Sequence, residues 1–296
     1  MIFKGIITAL ITPINEMGDI DYEILKKLID RQIDAKIDGL IIAGSTGEGS
    51  SLDNDQYYEL IKASVEYSNG RIPIIAGLAG VSTKSVCHDV RILCEIKIDG
   101  IMCTVPHYVR PEQEGLYLHF KAINDASSRP IMIYLNPGRT GVDMTNEVIL
   151  KLALLENIVA VKDCSNDYQK PLKILPNIDS DFVLLSGDDN RFLDYTAYGG
   201  VGLVSVVANI FPKICKKIYN LQLAKNIDEA KSLYEKLLPV ITAISFESNP
   251  IGIKCASSEL GLCAKYLILP LTCARKSTRD KIIDALPDLV SLEKNV

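Results

Sequence analysis

Short, nearly continuous apolar runs recur along this chain at intervals of roughly 25 to 35 residues, with longer stretches of helical periodicity between them. The runs are Gly5–Ile11, Gly39–Ala43, Pro73–Ala76, Gly100–Val105, Ile131–Tyr134, Ile158–Val161, Phe182–Ser186 and Gly202–Val206. Because they are continuous rather than alternating, they predict strands buried on both faces, as in a parallel sheet. The intervening segments carry helix-start signals: Asp21 before YEILKKLIDRQID, Ser82 or Thr83 before KSVCHDVRILCEI, Pro111 before EQEGLYLHFKAI and Thr145 before NEVILKLALL. Eight β/α units in about 220 residues predict an α/β fold of the closed (β/α)₈ TIM-barrel type rather than an open doubly wound sheet. After Asn226 the strand pattern stops, and IDEAKSLYEKLLPVITAI, NPIGIKCASSELGL and ARKSTRDKIIDALPDLVSL read as three appended helices. The expected division is a catalytic barrel over 1–224 and a C-terminal helical extension over 225–296.

Composition narrows the function without changing this architecture. The 296 residues are 48% hydrophobic, enough to bury a full core. The formal net charge is −5 and no Lys/Arg block interleaves with aromatics, so a nucleic-acid partner is not expected. Apolar runs such as GLIIAG and GLVSVVANIF fall far short of the roughly 20 residues of a membrane span. The eight cysteines form no C-x-x-C pair, and the opening MIFKGIITALITPI lacks a basic n-region and a small-residue cleavage site. Reduced thiols in a cytoplasmic protein are the expectation, with a small molecule as partner.

In such a barrel the chemistry gathers at the carboxyl ends of the strands. The second run leads into Gly44, Ser45, Thr46, Gly47 and Glu48, the fourth into Pro106, His107 and Tyr108, the fifth ends at Tyr134 with Arg139 beyond, and the sixth meets Lys162. A lysine carried on a buried strand loses solvation, titrates lower and becomes an amine nucleophile toward a carbonyl; the ordinary alternative is a lysine reaching solvent and pairing with Asp163. Tyr134 reads as a proton relay beside it or as a buried tyrosine with a satisfied hydroxyl. Arg139, held in the NPGRTG turn, reads as a bidentate carboxylate clamp or as a surface arginine. GSTGEGSSL lacks a Walker lysine and misses the dinucleotide spacing; it suits a small carboxylate, or serves as a turn with Ser51 or Asp53 capping the next helix. His88, His107 and His119 share no ligand spacing, so no metal is expected, and His88 and His119 read as helix-surface residues. Asp188 and Asp189 in SGDDN read as a helix start rather than a metal loop.

GLIIAGSTGEGSSL, RIPIIAGLAG, VPHYVRPEQEGLYLHFKAI, IMIYLNPGRTGVDM, IVAVKDCSND, LLSGDD, GGVGLVSVVANIFP and FESNPIGIK occur in order along essentially the whole chain. Together they resemble the dihydrodipicolinate synthase / N-acetylneuraminate lyase family of class I aldolases. The resemblance implies that Lys162 forms an imine with pyruvate and that Tyr134 relays protons. Ser45, where the family usually has threonine, would join Tyr134 and Tyr108 in that relay, with Tyr108 coming from the neighbouring subunit. Thr46 would cradle the pyruvate carboxylate with Ser45, and Gly187 and Val204 would line the pocket through their backbones. The Y-x-x-P-x-R-T-G pattern around Arg139 matches the synthase branch, in which the arginine would anchor the carboxylate of aspartate semialdehyde. A sialic-acid lyase or 2-keto-3-deoxy sugar-acid aldolase would share Lys162 and differ in second substrate; a barrel retaining the site as a binding or regulatory protein is the rival from another class. The resemblance further implies no metal or organic cofactor and a homotetramer built as a dimer of tight dimers. Val81, Ser85 and Tyr57 stand where many relatives have asparagine, glutamate and histidine in a lysine feedback pocket, and His107 stands where a tyrosine is common, so weak or absent inhibition by L-lysine is expected. Gly252 stands where the synthases usually have proline, a departure that bears on local rigidity only.

Overall fold

A computed structural model describes residues 2–178 and 181–296. Eight strands form a closed barrel in sequence order: β1 (Gly5–Ala9), β2 (Gly39–Ile42), β3 (Ile74–Leu78), β4 (Gly100–Thr104), β5 (Ile131–Leu135), β6 (Ile158–Asp163), β7 (Val183–Ser186) and β8 (Gly202–Ser205). The barrel strands pair in parallel, with Thr104 beside Tyr134, Tyr134 beside Lys162, and Lys162 beside Leu185. The strands are buried almost without interruption, as their unbroken apolar runs predict. Each isoleucine or leucine so enclosed contributes about 1.5–3 kcal/mol relative to exposure.

The helices are α1 (Tyr22–Asp34), α2 (Asn54–Ser68), α3 (Thr83–Glu95), α4 (Gln113–Ala126), α5 (Pro137–Thr140), α6 (Asn146–Leu152), α7 (Lys170–Ile174), α8 (Phe192–Ala197), α9 (Pro212–Leu223), α10 (Ile227–Ile244), α11 (Ile251–Glu259), α12 (Lys276–Ala285) and α13 (Pro287–Asn295). Side-chain oxygens satisfy orphan amides at three of the signalled helix starts: Asp21 accepts from Ile24 N, Thr145 from Val148 N, and Asp53 forms a capping box with Gln56; Ser82 takes the N-cap of α3 without a side-chain hydrogen bond. By contacts the chain groups into two compact units, one formed by Pro73–Val204 with the residues before Gly5, the other by Gly5–Ile72 with Ser205–Val296.

Three expectations need correction. The last predicted helix is two, because Pro287 has no N–H to donate and its ring obstructs the preceding turn, so α12 ends and Pro287 opens α13. NPGRTG is not a plain turn but the short helix α5, capped by the Asn136 side chain. His119 is not a surface residue: it is 3% exposed, and its Nδ1 lies 2.8 Å from Thr83 Oγ1. It shares the inward face of α4 with Leu116, Phe120 and Ile123, and burial pushes its pKa down to about 4.

Candidate active site

Lys162 lies on β6 itself, one residue before its end, rather than just beyond the strand. It is 5% exposed. Burial drives its pKa down from the ordinary lysine value; Cys164 and Asp188 push it back up, and Arg139 adds to the lowering. The Nζ sits 4.0 Å from the centroid of the Tyr134 ring, on the adjacent strand of the sheet and in register with it. An amine over a phenol face gains from the ring quadrupole while charged and stays in an apolar surrounding when neutral.

Tyr134 is also buried, and its phenol is held above the usual tyrosine range, by desolvation first and by Cys164 next. Its hydroxyl accepts a 2.8 Å hydrogen bond from Asn136 Nδ2. The Asn136 Oδ1 accepts from Arg139 N at 3.2 Å. One asparagine therefore ties the phenol of β5 to the backbone carrying Arg139, whose own side chain is exposed.

β7 closes on the same lysine through Gly187, whose N–H donates to Asp163 O at 2.8 Å. A Cβ at Gly187 would stand 2.2 Å from Cys164 Sγ and 3.1 Å from both Cε and Cγ of Lys162. Only glycine lets the chain pass so close to the amine. Gly187→Ala is expected to slow covalent capture of a 2-oxo acid at Lys162 by about 10-fold or more, since overpacking a dense site forces side chains off their preferred rotamers. Borohydride trapping followed by mass spectrometry measures this, and Gly187→Ala/Cys164→Ala, which removes the worst collision, should recover part of the rate. Asp163 keeps its carboxylate away from the lysine, accepting from Ser165 N at 2.8 Å and from the Tyr195 hydroxyl at 3.0 Å.

At the end of β2, Ala43 and Glu48 both adopt left-handed backbone, with φ of 56° each. They fold Gly44–Gly49 into a tight turn, closed by Gly49 N donating to Gly44 O at 3.1 Å. A Cβ at Gly49 would fall 1.8 Å from Ala43 O. Left-handed backbone at a non-glycine residue costs of order 1 kcal/mol or more and persists only where the surroundings enforce it. Here Glu48 forms an ion pair with Lys254 at 2.8 Å, neither side chain having any exposure, and accepts from Ile268 N at 2.7 Å. Thr46 is buried, and its Oγ1 accepts from Asn249 Nδ2 at 3.0 Å; Ser45 is half-buried.

Val204 is fully buried on β8. Tyr108 is not brought onto the Lys162 cluster: it is 88% exposed, with φ of 68°, beside the exposed Val109. The sequence reading gave no role to Asn136, Cys164, Asn249, Glu48 or Lys254, although all five stand in segments that carry the resemblance. Asn136 carried a further signal, an asparagine preceding Pro-Gly where helix caps occur; for the other four the motif marked the segment and not the contact.

A (β/α)₈ barrel with a desolvated lysine near the end of β6 and a buried phenol in register on β5 has the architecture of a Schiff-base lyase. The model of the Dihydrodipicolinate synthetase family matches residues 2–288. The chain is 43% identical over 288 residues to a 4-hydroxy-tetrahydrodipicolinate synthase of Rickettsia canadensis (strain McKiel), covering 97% of this chain and 98% of that one. It is 42% identical, with the same coverage, to the enzyme of that name from Rickettsia bellii (strain RML369-C). Among solved structures, dihydrodipicolinate synthase from Aquifex aeolicus superposes with a TM-score of 0.93 at 35% identity, covering 96% of this chain and 97% of that one. The chloride-inhibited dihydrodipicolinate synthase from Acinetobacter baumannii complexed with pyruvate superposes at 0.94 and 34% identity, covering 97% and 99%. The chain belongs to the dihydrodipicolinate synthetase family.

Proposed function

We propose that this protein condenses pyruvate with L-aspartate 4-semialdehyde to give 4-hydroxy-tetrahydrodipicolinate, through an imine on Lys162. The observation that carries this is the buried, charge-disfavoured amine of Lys162 over the Tyr134 ring, in a chain whose curated relatives bear the name of that activity. The neutral amine adds to the pyruvate ketone, and loss of water from the carbinolamine gives a protonated imine. That cation accepts the electron pair released when the methyl group loses a proton, forming an enamine. The enamine carbon bonds to the semialdehyde carbonyl, whose oxygen takes up a proton. The amine of the second substrate then attacks the imine carbon, closing the ring and freeing Lys162.

Tyr134 carries protons to and from the carbinolamine, with Ser45 as its hydroxyl partner, while Ser45 and Thr46 cradle the pyruvate carboxylate. Gly187 and Val204 line the pocket by their backbones, and Arg139 anchors the distal carboxylate of the semialdehyde in bidentate fashion. Tyr108 completes the relay of a neighbouring chain in a homotetramer of tight dimers; its exposure supports a role outside its own chain. The barrel domain ends near Ala224, which caps α9. No helix among the described residues is long and apolar enough to cross a membrane, and the protein works on small molecules in the cytoplasm.

Purified protein given pyruvate and aspartate semialdehyde in a coupled assay should turn over, with its rate unchanged by micromolar L-lysine. Inhibition at micromolar L-lysine would reject the predicted insensitivity. Well-folded protein that forms the pyruvate adduct yet ignores the semialdehyde would move the assignment to another aldolase of the family, and failure to form any adduct would favour a binding or regulatory role.

A further inference from the structure

The segment that opens α11 grips the Ser45–Gly49 turn at two points. Lys254 pairs with Glu48 inside the protein and also donates to the Thr12 carbonyl. Thr12 in turn donates from Oγ1 to Gly47 O at 2.6 Å. Five residues before Lys254, Asn249 Nδ2 donates to Thr46 Oγ1. A threonine hydroxyl has one hydrogen to give and two lone pairs. With the oxygen accepting from an amide N–H, its hydrogen remains to be donated to another acceptor.

We infer that Asn249 is a positioning residue for the Thr46 hydroxyl: by donating to its oxygen, it leaves the Thr46 proton for a bound 2-oxo acid carboxylate. This rests on the reading of Thr46 as part of the carboxylate cradle. Asn249 has no direct part in the chemistry. The Glu48–Lys254 pair fixes the turn to the same segment, so donor and hydroxyl are held on one rigid piece of structure.

The test uses full-length Asn249→Ala, Asn249→Asp, Thr46→Val and Thr46→Val/Asn249→Ala, with pyruvate KM, kcat and Tm measured for each. Asn249→Ala should raise the pyruvate KM about 5-fold, the scale of one neutral hydrogen bond. Asn249→Asp should raise it by about 100-fold or more, because a carboxylate both accepts the Thr46 proton and repels the anion. The double variant should bind pyruvate no worse than Thr46→Val alone, since residues acting through one contact are not additive. A purely structural role would lower Tm in parallel and leave the alanine and aspartate variants with the same KM. Additive effects in the double variant, or a folded Asn249→Asp with unchanged pyruvate KM, overturn the inference; should Asn249→Asp fail to fold, the Thr46→Val cycle decides. Borohydride trapping of pyruvate on wild-type Lys162 separates the two levels. No adduct there overturns the functional reading and the inference with it, whereas an adduct formed with equal pyruvate dependence by wild type and Asn249→Asp overturns the inference alone.

Discussion

Lys162→Met is expected to abolish condensation, lowering the rate at least about 10⁴-fold as removal of a covalent nucleophile does, and to make the protein more stable at neutral pH. Both effects have one cause. The side chain is buried on β6, where its charge is disfavoured, and that supplies neutral amine for attack on a ketone. It also opposes folding, because the unfolded chain offers the ammonium full hydration. Between the lowered folded pKa and the unfolded value of about 10.4, the unfolded state binds more protons, so wild-type stability rises with pH in that window. The advantage of Lys162→Met is therefore full below the folded pKa and closes as pH approaches about 10.4. Thermal melts of both proteins across that range measure it. Trapping with pyruvate and borohydride should add mass to Lys162 in wild type and to no residue in the variant; a labelled lysine elsewhere would refute the assignment. The pyruvate-trapping rate should likewise rise with pH through the depressed pKa and level off.

Lys254→Met is expected to cost about 3–5 kcal/mol, the scale for stranding one charge of a buried pair. The side chains of Glu48 and Lys254 have no exposure, and removing the ammonium leaves a carboxylate supported by Ile268 N on a residue with left-handed backbone. The melting temperature should fall by about 10 °C, given a few degrees per kcal/mol for chains of this size. Glu48→Gln/Lys254→Met should recover most of the loss, because replacing both charges by neutral groups of similar volume is often close to neutral. If the double variant is no more stable than Lys254→Met, packing rather than charge holds the turn.

The barrel was legible because its strands are buried on both faces, so apolar runs mark them directly; Gly5–Ile11 merely overran β1. There the side chain of Asn209 takes over, accepting from Ile11 N and donating to Ala9 O, and ends the ladder at Ala9. Lys162 was visible as a cation abutting such a run, although it proved to be on the strand, its register with Tyr134 being set by β5–β6 pairing. His119 was legible in principle from its spacing to Leu116 and Ile123, but a polar identity outweighed the period. The role of Asn249 was beyond reach: FESNPIGIK marked its segment, but its partner Thr46 lies 203 positions away and nothing local points to that contact. Cys164 is unreadable for a related reason: only the close passage of Gly187 makes the thiol part of the lysine's wall.

The bond from Ile268 N to Glu48 has a bearing on biosynthesis. The groups that hold the Ser45–Gly49 turn, Asn249, Lys254 and Ile268, are translated more than 200 residues after it, at separations of 203 for Asn249–Thr46 and 220 for Ile268–Glu48. The turn therefore has its full set of supports only once residue 268 has been made.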